Sequence, residues 1–213
     1  SSAASDVYKR QDFTWNEFVD RINNELIATY GNFANRVLSL SARLPDTPGG
    51  ETLPSFDELT YYEELCETLV GLHQSMTDSL QRHRYKEALR TAMTAAQHGN
   101  QLLQSSMPWK HLKTDTDAEG RTEALSSLAM GWRICRYLAI VTEPFLPFSA
   151  RKLWNMLGIE NALEEMQWND AIDWSVPVQS PTQDYEPLFK RLDVEEIVSK
   201  EESLVEEDTD SEN

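Results

Sequence analysis

Four polar residues recur at helical spacing near the start of the chain: Asn32, Arg36, Ser39 and Arg43, here called the polar row. Intervals of three and four residues put them on one edge of an α-helix. The Asn amide and the Arg guanidinium present paired polar groups in fixed geometry, which suits the base edges of single-stranded RNA. A hydrogen-bond network between helices would use the same residue types, so the pattern alone leaves both interpretations open.

A tryptophan with cations beside it forms the second candidate group. Trp109 follows Pro108, and Lys110, His111 and Lys113 come directly after it. An aromatic ring on a helix-ending turn can stack on an unpaired base, a contact that contributes about 1–3 kcal/mol per base. The alternative is a tryptophan that closes the end of a helical bundle.

One long amphipathic helix must hold the polar row. Thr14 and Glu17 have the spacing of a capping box, and the helix is predicted to run from there to about Ala42. Gly31 costs this helix about 1 kcal/mol relative to alanine, so we expect RNA or a neighbouring helix to approach closely there. Its buried face is predicted from the apolar positions Phe18, Ile22, Leu26, Phe33, Val37 and Leu40.

The remaining periodicity predicts an all-α, antiparallel bundle of four to five helices. Capping and apolar spacing predict helices over 55–80, 85–107 and 125–142, with buried positions that include Tyr85 and Gly99. A short helix over 149–157 is predicted to end at Gly158. Residues 159–192 lose periodicity and are predicted to cross the bundle as an irregular C-terminal strap. We expect three parts: a non-native or disordered leader at 1–11, the bundle domain at 12–193, and an acidic tail or linker at 194–213.

The net charge of −17 argues against a nucleic-acid partner at first sight. Ten of the 36 acidic residues lie in residues 193–213, however, so the body of the chain is much less acidic. A local cationic patch therefore stays possible. No apolar run reaches the ~18–20 residues that a membrane span needs. Two cysteines, Cys66 and Cys135, are predicted to be reduced, buried thiols of a cytoplasmic protein.

No catalytic pattern is present in the sequence. None of the four histidines has a glutamate three residues before it, which excludes the Glu-x-x-His pairs of a di-metal carboxylate bundle. The G-x-S-x-G, P-loop and G-x-G-x-x-G patterns are also missing. We therefore predict no catalytic, cofactor-binding or metal-binding residue in this chain. His73 and His98 are expected to be ordinary packing or surface residues.

Several segments resemble the anticodon-binding domain of methionyl-tRNA synthetases, over about residues 12–193. Asn23–Leu26 and Gly31–Leu38 resemble its first helix, and Asn100–Trp109 resembles an N-x(8)-W segment. The prolines and the Leu-Gly pair in 143–158 are similar to a P-x-L-P…LG stretch. Pro187–Asp193 resembles the closing segment of the domain.

The resemblance implies recognition of the CAU anticodon of methionine tRNA. Trp109 would stack on the first anticodon base, and Asn32 and Arg36 would contact anticodon bases. Asn35 and Arg43 are further candidates, for bases or backbone. Some bacterial members carry an additional Asn where this chain has Ala28, so a contact from that position is lost here.

The resemblance also implies a longer parent protein. An upstream catalytic domain with HIGH-type and KMSKS-type motifs would use ATP, and zinc is a further expectation there, while the fragment itself would be inactive. Expected partners are methionine tRNA and that catalytic domain, with no membrane and no DNA. Two alternatives stay open: the equivalent domain of an isoleucyl, leucyl, valyl or cysteinyl enzyme, and a non-enzymatic helical protein-interaction module.

Overall fold

A computed structural model describes residues 14–44, 52–54, 62–113, 117–182 and 185–199, and within these ranges the chain is helical with no strand. The predicted all-α bundle with an irregular strap is confirmed. The leader at 1–11 and the tail beyond 199 lie outside the described residues, and residues 194–199 are helical. The elements are α1 (Trp15–Arg21), a π-helical segment (Ile22–Gly31), α2 (Asn32–Ser41), α3 (Glu63–Gln81), α4 (Tyr85–Ser106), α5 (Pro108–His111), α6 (Ala118–Thr142) and α7 (Pro147–Met156).

The bundle core lies between α6 and the helices around it. The first helix runs antiparallel to α6, because the Tyr30 hydroxyl lies 3.3 Å from that of Thr142 while Val37 packs at Gly131, nearer the start of α6. Helix α6 is buried almost all round from residue 124 to residue 142. It is therefore the central element on which the other helices and the strap pack.

The first helix is continuous, but its middle is not an α-helix. Thr14 caps it as predicted, since its hydroxyl accepts a hydrogen bond from the Glu17 backbone N–H at 3.2 Å. The reciprocal half of the predicted capping box is missing among the described residues, because the Glu17 carboxylate pairs with Arg21. The prediction of regular α-helical geometry is wrong over Ile22–Gly31, which is π-helical. A π-helix has more residues per turn than an α-helix, so different side chains face inward. Tyr30 is fully buried, whereas Phe18, predicted to be buried, is 39% exposed.

Helices α3 and α4 form an antiparallel hairpin. The predicted start of the second helix at residue 55 lies outside the described residues. Small side chains of α4, among them Ala92 and Ala96, are fully buried, which permits close helix contact. Tyr85, predicted on the buried face of α4, is 56% exposed because it stands at the first residue of the helix.

Two arginines of α6 hold the strap on the bundle. Arg133 Nε donates to the Trp174 carbonyl at 3.0 Å, and Arg136 donates to the Asp170 carbonyl at 2.8 Å. Burial lowers the pKa of Arg133 to about 10, which still leaves it charged at neutral pH. The strap contains two short 3₁₀ turns, Leu163–Glu165 and Trp168–Ile172, and is otherwise irregular as predicted.

The end of α7 and the thiols follow the sequence-based expectations. Gly158 adopts φ 76°, the left-handed conformation that ends the helix, and a Cβ there would stand 2.2 Å from the Ser180 carbonyl oxygen. Cys66 and Cys135 are free and buried. Burial raises the pKa of the Cys66 thiol to about 11, so the thiol is protonated at neutral pH. Within the described ranges, every helix falls short of the length or the apolarity that crossing a bilayer requires.

Candidate nucleic-acid interface

The structure brings together two candidate residues from distant parts of the chain. The guanidinium carbon of Arg36 lies over the Trp109 ring, 5.8 Å from its centroid. This distance is within the ~6 Å range of a cation–π interaction. The contact forms because the first helix runs parallel to α4, with Thr29 beside Asn100 and Arg36 beside the turn that follows α4.

A strained turn fixes the position of Trp109. Met107 ends α4 with φ 40°, a left-handed conformation uncommon for a non-glycine residue. Pro108 then occupies the first position of α5, where its missing N–H is no loss. The Lys110 N–H closes the turn on the Met107 carbonyl at 2.8 Å. The direction of the tryptophan is therefore set by the backbone on both sides of it.

Trp109 both packs and stays accessible. Its ring contacts the hydrophobic core, and the residue is only partly buried. The two alternatives from the sequence are thus compatible, because one part of the ring closes the end of the bundle while another part reaches solvent. Arg36 beside it is exposed, so both residues are reachable from solvent.

Side chains on the inner face of α2 pack closely against two glycines on neighbouring helices. A Cβ on Gly99 of α4 would stand 2.4 Å from Phe33, and a Cβ on Gly131 of α6 would stand 2.8 Å from Val37. Phe33 and Val37 are fully buried. These contacts hold the inner face of α2 against α4 and α6 and leave its polar residues facing outward.

Among the described residues, the hydrogen bonds of the polar row do not join neighbouring helices. The Asn32 amide donates to the Ala28 carbonyl at 3.2 Å, and the Ser39 hydroxyl donates to the Arg36 carbonyl at 3.2 Å, so both bonds stay within the first helix. Asn32 and Arg36 are exposed. Arg43 is exposed beyond the last residue of α2.

The other candidates are placed as follows. Asn35 is exposed on α2, next to Arg36 in the sequence. The structure therefore unites Arg36 with Trp109 and puts Asn32 and Asn35 on the same exposed helix.

Asn100 supports the site without being part of it. Its amide nitrogen donates to the Thr29 carbonyl at 2.9 Å and to the Ala96 carbonyl at 3.1 Å. The first bond joins α4 to the π-helical segment just before Asn32. Sequence reasoning assigned no role to this residue outside the resemblance. The available signal was an amide placed among the small residues of α4, where a tight helix contact leaves room for a side-chain bond to a neighbouring backbone.

Gly31 is explained by a different neighbour from the one expected. The residue that approaches it is Phe189 of the strap, whose Cδ2 atom would be 3.1 Å from a Cβ at this position. The expectation that RNA or another helix approaches Gly31 is therefore corrected. The glycine accommodates an aromatic ring from the C-terminal part of the chain.

His73 is a packing residue, as expected. It is 2% exposed, its ring stacks on Trp168 at a centroid distance of 5.0 Å, and its Nε2 atom lies 3.3 Å from the Asn169 amide oxygen. Burial lowers the pKa of His73, so the ring is neutral at physiological pH. Among the described residues, no three histidine, cysteine or acidic side chains are grouped so that they could hold a metal ion.

Comparisons with known families agree with the helical architecture. A family model described as "Anticodon binding domain of methionyl tRNA ligase" matches residues 48–203, which include Trp109. A second model, described as "tRNA synthetases class I (M)", matches residues 2–38, which include Asn32 and Arg36. The Arg36–Trp109 contact therefore joins the segments matched by the two models.

Curated relatives match between 71% and 98% of the chain. The methionine–tRNA ligase of Methanopyrus kandleri is 35% identical over 210 residues, covering 98% of this chain and 29% of the relative. The methionine–tRNA ligase of Porphyromonas gingivalis is 39% identical over 153 residues, covering 71% of this chain and 21% of the relative. The chain thus spans less than a third of the length of these relatives.

Solved structures share the fold at low sequence identity. The crystal structure of the apo form of Mycobacterium tuberculosis methionyl-tRNA synthetase superposes with a TM-score of 0.66 at 18% identity, covering 85% of this chain and 35% of that one. The same enzyme bound by methionyl-adenylate gives a TM-score of 0.64.

Proposed function

Since the chain belongs to the methionyl-tRNA ligase family and matches its anticodon-binding domain, we propose that it recognises the CAU anticodon of methionine tRNA. Trp109 stacks on the first anticodon base. Asn32 and Arg36 contact the edges of anticodon bases. Asn35 and Arg43 extend the contact to neighbouring bases or to the backbone.

The observation that carries this proposal is the Arg36–Trp109 pair. A ring and a guanidinium group 5.8 Å apart form a surface on which an unpaired base can stack while the guanidinium donates in the plane of another base. Because α2 is fixed at Gly99 and Gly131, this surface exists before RNA arrives. Preorganisation lowers the entropic cost of binding.

The Asn32 side chain adds an amide, with both a hydrogen-bond donor and an acceptor, beside this surface. Its amide nitrogen is occupied by the Ala28 carbonyl, whereas its amide oxygen accepts no hydrogen bond from the described residues. In the RNA complex, that oxygen accepts from an amino or imino group of an anticodon base. Specificity thus rests on a few base contacts, and the acidic body contributes little non-specific attraction.

The direct experiment is binding of a methionine anticodon hairpin and of hairpins with single changes in CAU. The wild-type chain is expected to prefer CAU, and Trp109→Ala and Arg36→Ala are expected to lose that preference while staying folded. Tyr85→Ala, an exposed aromatic at the other end of α4, is the control. Preserved discrimination in both site variants would refute the site. Stronger competition by an isoleucine, leucine, valine or cysteine tRNA would instead indicate a domain of another synthetase.

The parent activity is a further part of the proposal. A catalytic domain upstream of this chain uses ATP to activate methionine, holds zinc where one is required, and works in the cytoplasm. This chain alone binds tRNA without methionylating it. The test is methionylation of tRNA by the chain alone and after addition of a catalytic domain from a relative; product formed by the chain alone would contradict this assignment.

A further inference from the structure

The last residues of the strap lie along the π-helical segment from one end to the other. At the start, the Asn23 amide exchanges two hydrogen bonds with the backbone of Leu192: Nδ2 donates to its carbonyl at 2.9 Å, and Oδ1 accepts from its N–H at 3.0 Å. At the end, the Phe189 ring packs edge-on against Tyr30, with centroids 5.6 Å apart. Residues 189–192 therefore run antiparallel to residues 22–31.

The short span between the two strap contacts favours a compressed form of the helix. Eight residues of regular α-helix, from Asn23 to Gly31, would rise about 12 Å. Three extended residues, from Phe189 to Leu192, reach at most roughly 10–11 Å. A π-helix places more residues in each turn and so rises less per residue. The strap thus fits the π form of the segment better than the α form.

The fit is tightest next to the candidate interface. A Cβ on Gly31 would stand 3.1 Å from Phe189 Cδ2, so the ring lies closer than most side chains at this position would leave room for. Asn32, the first residue of α2, follows immediately. One residue more or less in the preceding turns rotates the following helix face by about 100°. A change from π to α geometry would therefore rotate α2 and turn Arg36 away from the Trp109 ring.

We propose that Asn23 and Phe189 are positioning residues that hold Ile22–Gly31 in its π form and so set the rotation of α2 for RNA recognition. This inference rests on the proposed function. Neither residue touches the RNA: Asn23 acts through the backbone of Leu192 and Phe189 through Gly31. Asn100 secures the same segment from the α4 side, through the Thr29 carbonyl.

Two measurements test the proposal on the whole chain. The first, without RNA, is the ¹⁵N–¹H resonance of the Trp109 indole, identified by its loss in Trp109→Phe. The second is the ratio of affinities for the CAU hairpin and for a hairpin with a changed anticodon. Asn23→Ala is expected to shift the indole resonance and to lower the ratio at least ~5-fold. The control is Asn169→Ala, which removes the side-chain contact of 3.3 Å between Asn169 and His73 and lies away from the π-helical segment.

The results separate a positioning role of Asn23 from a purely structural one. An unchanged indole resonance and an unchanged ratio in folded Asn23→Ala overturn the inference, since the residue is then only structural. Where Asn23→Ala does not fold, Asn23→Asp, which keeps the acceptor for the Leu192 N–H, and Phe189→Leu take its place with the same readouts. A wild-type chain indifferent to the anticodon refutes the proposed function, while the indole resonance still decides whether Asn23 positions α2.

Discussion

The ring of Phe33 occupies the space that any side chain at position 99 would need: a Cβ built on Gly99 stands 2.4 Å from the Phe33 Cζ atom. Both residues are buried, so neither can move aside without disturbing the core. Overpacking of this kind costs about 1–3 kcal/mol. The contact therefore stabilises the bundle and also fixes α2.

Gly99→Ala is expected to lower the free energy of unfolding by about 1–2 kcal/mol, even though alanine is favoured over glycine in helices by about 1 kcal/mol. The matched control is Gly71→Ala on α3, where nothing lies within 4 Å of an added Cβ. That change is expected to stabilise by about 0.4–1 kcal/mol. Urea denaturation measures both, and equal shifts in the same direction would contradict the packing argument. Phe33→Leu in the Gly99→Ala background should restore part of the loss.

Trp109→Ala is expected to weaken binding of the CAU hairpin by about 1–3 kcal/mol, the value of one stacked base. Trp109→Phe should lose less, because a smaller ring still stacks. Fluorescence anisotropy with a labelled hairpin gives both values. A loss as large in Trp109→Phe as in Trp109→Ala would assign the role to the indole N–H and not to stacking.

Arg36→Lys separates charge from geometry at the interface. Lysine keeps the charge but lacks the planar fork with paired donors. We expect Arg36→Lys to keep the salt dependence of hairpin binding and to lose most of the preference for CAU, while Arg36→Ala loses that preference and makes the salt dependence shallower. Arg82→Ala, an exposed arginine after α3, is the control. Full retention of the preference in Arg36→Lys would show that only charge matters there.

The affinity for the CAU hairpin should depend only weakly on salt concentration. With about three phosphate contacts to a single strand, log Kd changes with log salt concentration by a slope of roughly 2 in magnitude. Titrations of the CAU hairpin at several salt concentrations measure this slope. A much steeper slope together with indifference to the anticodon would indicate non-specific binding through the backbone.

His73 makes stability depend on pH. The fold lowers the pKa of His73 from 6.5 through burial, so the folded chain holds the ring neutral. As the pH falls below 6.5, the unfolded chain binds a proton that the folded chain does not, and the free energy of unfolding decreases until the lowered pKa is reached. His73→Gln removes this contribution and leaves the other three histidines in place. Denaturation at about pH 7.5 and about pH 5 should show that the free energy of unfolding falls more for the wild type than for His73→Gln. Equal decreases in the two proteins would contradict a role of His73 in the pH dependence.

The sequence predicted elements whose signals are local. Thr14, Pro108 and Gly158 mark helix ends by chemistry that depends on neighbouring residues alone, and the structure confirms them. The polar row likewise kept its phase because α2 is a regular helix. The π-helical segment was not predictable, since its causes are contacts with Asn100 and with the distant strap.

Some burial patterns also depended on distant contacts. Phe18 and Tyr85 fit the apolar spacing but stand near helix starts, where few elements cover them. Arg133 and Arg136 are charged residues in an otherwise apolar stretch, and their partners are backbone carbonyls. Carbonyl groups occur at every residue, so no sequence pattern predicts which of them an arginine will bind.

Those two carbonyl contacts have a consequence for how the protein can diverge. Arg133 and Arg136 donate hydrogen bonds to the main chain of the strap at Trp174 and Asp170, so these bonds depend on the path of the strap, while the charges of Asp170 and Asp173 add attraction to Arg136. Substitutions in the strap that keep its course leave these bonds intact. The strap can therefore drift in sequence between relatives while it stays in place, and a loss of either arginine should be tolerated less well than most changes in the segment it holds.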